Sequence, residues 1–169
     1  MPNRYNRIAV VNYAIRYALT PNKAYKYFKS DNTNGGDCTN FLSQCLRAGG
    51  APMDYNGLRP WWYDMRQGRA SVCWAVAHSL YWYLKTNQHS NRSAIKGLEV
   101  NNMDELELGD LIFYENFNNV IFHGAVITSF VEVNGKREPL ISQHTTDLLN
   151  VTYRKKYKYK KAHFIKIIL

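Results

Sequence analysis

The first half of the chain repeats its apolar residues at intervals of three and four, the spacing of helices with one buried face. One helix is expected over residues 5–18, and the Thr-Pro-Asn sequence at residues 20–22 ends it. A second follows a polar, glycine-bearing turn at residues 31–36 and ends at Gly49. A third is expected to begin at Ser71, which suits the N-cap position. The three apolar stripes are Ile8, Val11, Ala14, Ile15 and Ala18, then Phe41, Leu42, Cys45 and Leu46, then Trp74, Ala77, Leu80, Tyr81 and Leu84.

The second half of the chain has the composition and the turn signals of an antiparallel sheet. Strands are expected at residues 111–114, 122–133, 140–143 and 164–169. Asn134-Gly135 predicts a tight hairpin between the middle two. Because the helices come first and the strands follow, the sequence predicts an α+β fold, with N-terminal helices packed on a C-terminal antiparallel sheet. No linker or repeat divides the chain, so we expect one domain over residues 1–169.

The composition is that of a globular protein with a sizeable core. Hydrophobic residues make up 46% of the 169 positions, which excludes the composition of a disordered chain. No apolar run approaches the ~20 residues that span a bilayer, so no transmembrane segment is expected. Residues 1–14 do not have the pattern of a cleaved signal peptide. We therefore expect either a domain of a larger protein or a lysin or toxin exported without such a signal.

The formal net charge is +9, and part of it lies in one stretch, residues 153–161, here called the basic segment. Its lysines and its arginine are interleaved with three tyrosines. A basic balance favours anionic partners such as bacterial wall polymers. Nucleic acid is not expected, since the chain has no zinc-finger, homeodomain or RNA-recognition pattern. The alternative is a solvated strand edge whose lysines discourage pairing with other sheets.

Of the three cysteines, Cys38 has the best position for chemistry. It follows a glycine turn at residues 35–36 and begins the second predicted helix. Unpaired N–H groups and the positive end of the helix dipole would favour its thiolate and could bind an oxyanion. Cys45 lies on the apolar stripe and Cys73 near Trp74, so both are expected in the core. An odd number of cysteines without a C-x-x-C pair argues against a disulfide framework or a zinc ribbon.

Two of the five histidines have the best positions to serve such a thiol. His123 opens a predicted strand, and His144 ends the strand beyond the Asn134-Gly135 turn. Their distances from the turn nearly match, so we expect them to be neighbours at one end of the hairpin. A base with a second group that orients it is the arrangement that nucleophilic catalysis needs.

Four segments carry a resemblance to a known family. They are GDCTNFLSQCL at residues 36–46, LGDLIFY at 108–114, HGAVIT at 123–128 and SQHTTD at 142–147. Together they resemble the signature of the bacterial "putative amidase domain", a family placed with the papain-like cell-wall cysteine peptidases and amidases. The resemblance spans about residues 5–147 and is most specific around Cys38.

The resemblance implies a papain-like α+β fold in which Cys38 attacks an amide carbonyl and His123 is the base. His144 is implied as the third catalytic residue, with Gln143 as the alternative, and Tyr27 is a second oxyanion donor by analogy. The implied substrate is peptidoglycan, cut at a stem-peptide bond or at the sugar–peptide amide, without a metal or other cofactor. We expect a monomer that acts at the bacterial cell wall. Two alternatives stay open: a toxin-type or regulatory protease, deamidase or acyltransferase acting on proteins, and a non-catalytic wall-binding module.

Overall fold

The computed structural model describes residues 5–30, 36–90 and 93–169, and within these it has four α-helices, one short 3₁₀ helix (Met103–Glu105) and eight strands. The predicted turn at residues 31–36 falls outside them except for Gly36. None of the described helices has the length and apolar character that crossing a bilayer requires. The helices are α1 (Arg7–Tyr17), α2 (Cys38–Ala48), α3 (Val72–Ala75) and α4 (Ala77–Asn87). The strands are β1 (Tyr63–Asp64), β2 (Arg69–Ala70), β3 (Lys96–Val100), β4 (Leu111–Glu115), β5 (Ile121–Val133), β6 (Lys136–Gln143), β7 (Leu148–Thr152) and β8 (Lys161–Ile168).

Six of the strands form one antiparallel sheet in the order β3-β8-β4-β5-β6-β7, and β1 and β2 form a separate two-stranded ribbon. The helices pack on one face of the large sheet and make the main core with it. A second, smaller core lies on the opposite face, around Ile112, Ala125 and Ile141. The α+β arrangement with helices on an antiparallel sheet is therefore confirmed.

The helix α2 forms as its apolar stripe predicts. Phe41, Leu42, Cys45 and Leu46 are fully buried, and the helix ends at Gly49. By contrast, the predicted stripe of α1 is partly wrong. Ile8 and Ile15 are exposed, because the helix turns Val10, Val11 and Ala14 to the core instead.

The third predicted helix is two helices with a break at Val76. Ser71 caps α3 as expected, its hydroxyl accepting a hydrogen bond from the N–H of Trp74 at 3.3 Å. Val76 is extended (φ −117°, ψ 124°), so the chain changes direction before α4 begins. A β-branched residue tolerates this extended conformation well. The break places Val76 in the wall of the pocket described below.

The hairpin of β5 and β6 has the predicted turn and one irregularity that the sequence does not announce. Asn134 and Gly135 both have positive φ (51° and 72°), as a tight primed turn requires. Ser129 pairs with Leu140, but the next pair is Ile127 with Ile141. Thr128 is thus one extra residue on β5, a β-bulge.

Candidate active site

Cys38 is the first residue of α2, as predicted, and its side chain is buried. Backbone groups of Gly124 on β5 and of Thr39 lie close enough to the sulfur to lower the pKa of the thiol. The Thr39 hydroxyl lies 3.7 Å from it. The strand that carries His123 therefore passes close to the sulfur at Gly124, the next residue in the chain.

The protonation of Cys38 differs from the expectation of a resting thiolate. Burial raises the pKa of the Cys38 thiol, and the nearby charge of Asp37 adds to the rise. Hydrogen bonds from the Thr39 side chain and from the two backbone groups offset only part of this effect. The resting sulfur is consequently a thiol, because burying a charged thiolate costs more free energy than these hydrogen bonds recover.

A pocket of about 260 Å³ opens beside the sulfur. Its walls are mostly apolar and come from α2, from the α3–α4 break and from the start of β5. They consist of Gly36, Cys38, Thr39, Ala75, Val76, Ala77, Ile121 and Phe122. A small side chain or one sugar-sized group next to a reacting carbonyl would fit such a space.

His123 lies on β5 and is 5% exposed. Its Nε2 is 2.8 Å from Oε1 of Gln143, and its ring lies 5.7 Å from the ring of Tyr114. Burial lowers the pKa of His123 to about 4; the hydrogen bond with Gln143 opposes this, and the charge of Lys155 adds to it. The resting imidazole is neutral at physiological pH. Within the described residues, no hydrogen bond joins it to the Cys38 thiol.

The contacts of Gln143 decide which nitrogen of His123 carries the proton. The amide Nε2 of Gln143 donates to the carbonyl oxygens of Thr145 and Thr146, at 3.2 and 3.1 Å. Its Oε1 therefore faces His123 and can only accept a hydrogen bond. It follows that Nε2 of His123 carries the proton and Nδ1 keeps the lone pair, the state of a general base.

The bulge at Thr128 explains why Gln143, rather than His144, contacts His123. Beyond the bulge the pairing places Gln143 opposite Ala125, on the same face of the sheet as His123. In an uninterrupted hairpin His144 would take that position, because a shift of one residue turns each side chain to the other face. The expected contact between the two histidines does not form. The alternative residue, Gln143, is the one that is hydrogen-bonded to His123.

His144 instead belongs to a buried pair on the helix side of the sheet. Its Nδ1 is 2.5 Å from Oδ2 of Asp37 and its Nε2 is 2.7 Å from the carbonyl oxygen of Tyr17. Its ring stacks on Phe41 at 4.1 Å. Burial alone would lower the pKa of His144, but the bonds to Asp37 and Tyr17 outweigh it, so the pKa is raised. This pair joins Asp37, the residue before Cys38, to the end of β6.

The N–H of Cys38, expected to be free for an oxyanion, already has a partner. The Thr145 hydroxyl accepts hydrogen bonds from the N–H groups of Asp37 at 2.8 Å and Cys38 at 3.2 Å. Thr145 has a positive φ of 59°, which is rare for a β-branched residue. Gly36 leaves the room for this contact, since a Cβ there would lie 2.4 Å from the Thr145 hydroxyl oxygen. Tyr27, the other suggested donor, packs its ring 5.8 Å from that of His144.

The remaining candidates from the sequence fall mainly in the core. Cys45 is fully buried and Cys73 is 4% exposed, as expected. All three cysteines are free thiols. His163 bridges two carboxylates, Glu99 and Glu115, each at 2.7 Å, and so ties β3 and β4 to β8.

Comparison with known proteins places the whole chain in one family. The family model described as "Putative amidase domain" matches residues 4–168. The chain is 37% identical over 146 residues to "Uncharacterized protein YhbB" of Bacillus subtilis, covering 85% of the chain and 42% of that protein. It is 31% identical over 155 residues to "Uncharacterized protein YjcM" of the same organism, covering 87% and 32%. The chain thus spans less than half the length of these curated relatives, and no solved structure matches it significantly.

Proposed function

The chain belongs to the "putative amidase domain" family, and from that premise we propose that it hydrolyses amides with Cys38 as nucleophile and His123 as base. Membership of this family supports amidase-type hydrolysis. The cysteine mechanism is a further proposal of ours. It rests on one observation: the sulfur at the start of α2 lies beside the backbone of Gly124. Gly124 is the residue after His123, a neutral histidine whose Nε2 is hydrogen-bonded to Gln143.

In the proposed reaction, both groups start neutral. Nδ1 of His123 takes the thiol proton as the Cys38 sulfur attacks the amide carbonyl, and the C=O electron pair moves onto oxygen. The imidazolium then returns this proton to the leaving amine while the C–N bond breaks and a thioester remains. Water, deprotonated by His123, cleaves the thioester and restores the thiol. Gln143 stays hydrogen-bonded to Nε2 throughout and keeps the ring in the productive tautomer.

The oxyanion needs donors in this scheme, and the N–H of Cys38 is the nearest one. Because the Thr145 hydroxyl holds this N–H in the resting protein, the substrate carbonyl oxygen has to replace Thr145 there. Each such donor is worth about 3 kcal/mol in the transition state. The strained Thr145 backbone makes its displacement less costly than that of a relaxed residue.

We further propose a papain-like architecture and peptidoglycan as the substrate. The order of a helix-start cysteine, then a strand with the base, then an orienting amide supports the first. The net charge of +9 supports the second, since anionic wall polymers surround peptidoglycan and attract a basic enzyme. The scissile bond is then a stem-peptide bond or the sugar–peptide amide.

Trapping the thioester tests the cysteine mechanism independently of the natural substrate. The wild-type chain is mixed with activated ester analogues of short N-acyl peptides, quenched in acid and examined by peptide mass spectrometry. We expect an acyl mass increment on the peptide that contains Cys38, and none there in Cys38→Ala. Acylation of Cys45 or Cys73 instead, or of no cysteine at all, would contradict the proposal.

A further inference from the structure

The basic segment does not point uniformly to solvent. Three of its cations pair with glutamates of the sheet, and two further lysines are exposed. The pairs are Arg154 with Glu138, Lys160 with Glu115 and Lys161 with Glu99, and the exposed residues are Lys156 and Lys158. Lys155 differs from all of these, because its side chain is half-buried and turns toward the candidate active site.

The ammonium group of Lys155 has polar and aromatic neighbours, and none of the carboxylates that the structure describes balances its charge. It donates a hydrogen bond to Oε1 of Gln143, the same oxygen that accepts from His123. It also lies 4.9 Å from the centre of the Tyr114 ring. Within the described residues, no carboxylate forms an ion pair with it. A partly desolvated cation without a counter-ion costs free energy, which binding an anion would recover.

The electrostatic contacts of Lys155 reach both reacting groups. Burial lowers the pKa of Lys155 to about 8, and the charge of a Cys38 thiolate acts in the opposite direction. Lys155 is therefore mostly charged at neutral pH. Its charge also contributes to the low pKa of His123, so in the resting site it opposes the protonation that the base must undergo.

From this geometry we propose that Lys155 is the receptor for a carboxylate of the substrate, and that the enzyme acts on amides that carry a free carboxylate close to the scissile bond. This inference rests on the proposed function and names the chemical class of its substrate. A carboxylate on Lys155 would neutralise the charge that opposes protonation of His123. Binding of the correct substrate would thereby favour proton transfer from Cys38, whereas an uncharged amide would leave the site in its resting state.

Two alkylating reagents test the receptor without requiring turnover. Iodoacetate carries a carboxylate and iodoacetamide is its neutral analogue, and both react with the same thiolate. Both rates at Cys38 are proportional to the fraction of thiolate, so their ratio does not depend on that fraction. The ratio therefore reports how strongly the charge near the sulfur favours the reagent that carries a carboxylate. The two rates at Cys38 are measured by peptide mass spectrometry at pH 7. The ratio of the iodoacetate rate to the iodoacetamide rate is then divided by the same ratio for free cysteine. The variants are Lys155→Met, Lys155→Arg and, as a control in the same segment, Lys158→Met.

We expect wild type and Lys158→Met to prefer iodoacetate by roughly tenfold or more, the effect of one charge-assisted contact. Lys155→Met should lose this preference and Lys155→Arg should keep most of it. An equal ratio in wild type and Lys155→Met would overturn the inference but leave the amidase proposal standing. Failure of both reagents to label Cys38 in the folded wild type would overturn the inference and count against the nucleophile as well.

Discussion

Replacing His123 with alanine is expected to reduce kcat by about 10²–10⁴-fold, the usual contribution of a positioned general base. His123 is the buried imidazole whose lone pair is set on Nδ1 by the hydrogen bond from Nε2 to Gln143. Alanine removes the proton acceptor and leaves the backbone of Gly124 beside the sulfur unchanged. Steady-state hydrolysis of a peptidoglycan fragment, with circular dichroism to verify folding, measures the effect.

Gln143→Ala is the companion variant and should cost less than His123→Ala, because water can partly replace an orienting amide. The acid limb of kcat/KM in the wild type should lie near pH 4, since burial lowers the pKa of His123 to about 4 and the base works only when neutral. Substantial residual activity in a folded His123→Ala protein would show that the base lies elsewhere.

Replacing His144 with alanine is expected to lower the free energy of unfolding by about 3–5 kcal/mol, the cost of leaving one member of a buried ion pair alone. Asp37 would keep its hydrogen bonds from the Phe28 N–H and the Asn40 amide but would lose its 2.5 Å contact with His144. Both side chains of the pair are 1% exposed, so water cannot easily take the place of the ring. Urea denaturation at pH 6 measures the loss.

The pH dependence of stability separates this role from catalysis. The folded pKa of His144 is raised above its unfolded value of about 6.5. Its contribution to stability should be complete below about pH 6.5 and should decline as pH rises through the folded pKa. The double variant Asp37→Asn/His144→Gln keeps polar partners without charge and should recover part of the loss. A loss below about 1 kcal/mol in His144→Ala would contradict the buried-pair account.

The position of Cys38, the proposed nucleophile, could be predicted from the sequence because it depends on local signals. A glycine turn, an apolar helical stripe and the Gly49 stop together place Cys38 at the start of α2, and the structure has it there. The Asn134-Gly135 turn is likewise a local signal and forms as expected. The α+β class follows from the order of such elements.

The hydrogen-bond partner of His123, the proposed base, could not be predicted, because it depends on register over a long hairpin. One extra residue at Thr128 moves Gln143 to the face of His123 and turns His144 to the helices. A bulge of this kind has no marker in Val-Ile-Thr-Ser, where every residue suits a strand. Counting residues outward from the Asn134-Gly135 turn therefore predicts His144 as the neighbour of His123, whereas the neighbour is Gln143.

The protonation state and the inward turn of Lys155 also depend on tertiary packing. A helix start favours a thiolate in isolation, but the complete burial of Cys38 raises its pKa and reverses that expectation. The basic segment looks uniform in sequence. In the structure, Lys155 contacts Gln143, whereas three other cations of the segment pair with glutamates of the sheet.

The proposal that Cys38 is the nucleophile of a peptidoglycan hydrolase is tested most directly by digestion of purified bacterial peptidoglycan. The digestion is run with the wild-type chain and with Cys38→Ala, and Cys73→Ala is the thiol control. Mass spectrometry of the soluble fragments reads the result, and their new termini identify the bond. We expect the same fragments with wild type and Cys73→Ala and none with Cys38→Ala. Equal release by Cys38→Ala would contradict the cysteine mechanism, and no release by wild type from several wall chemistries would contradict peptidoglycan as the substrate.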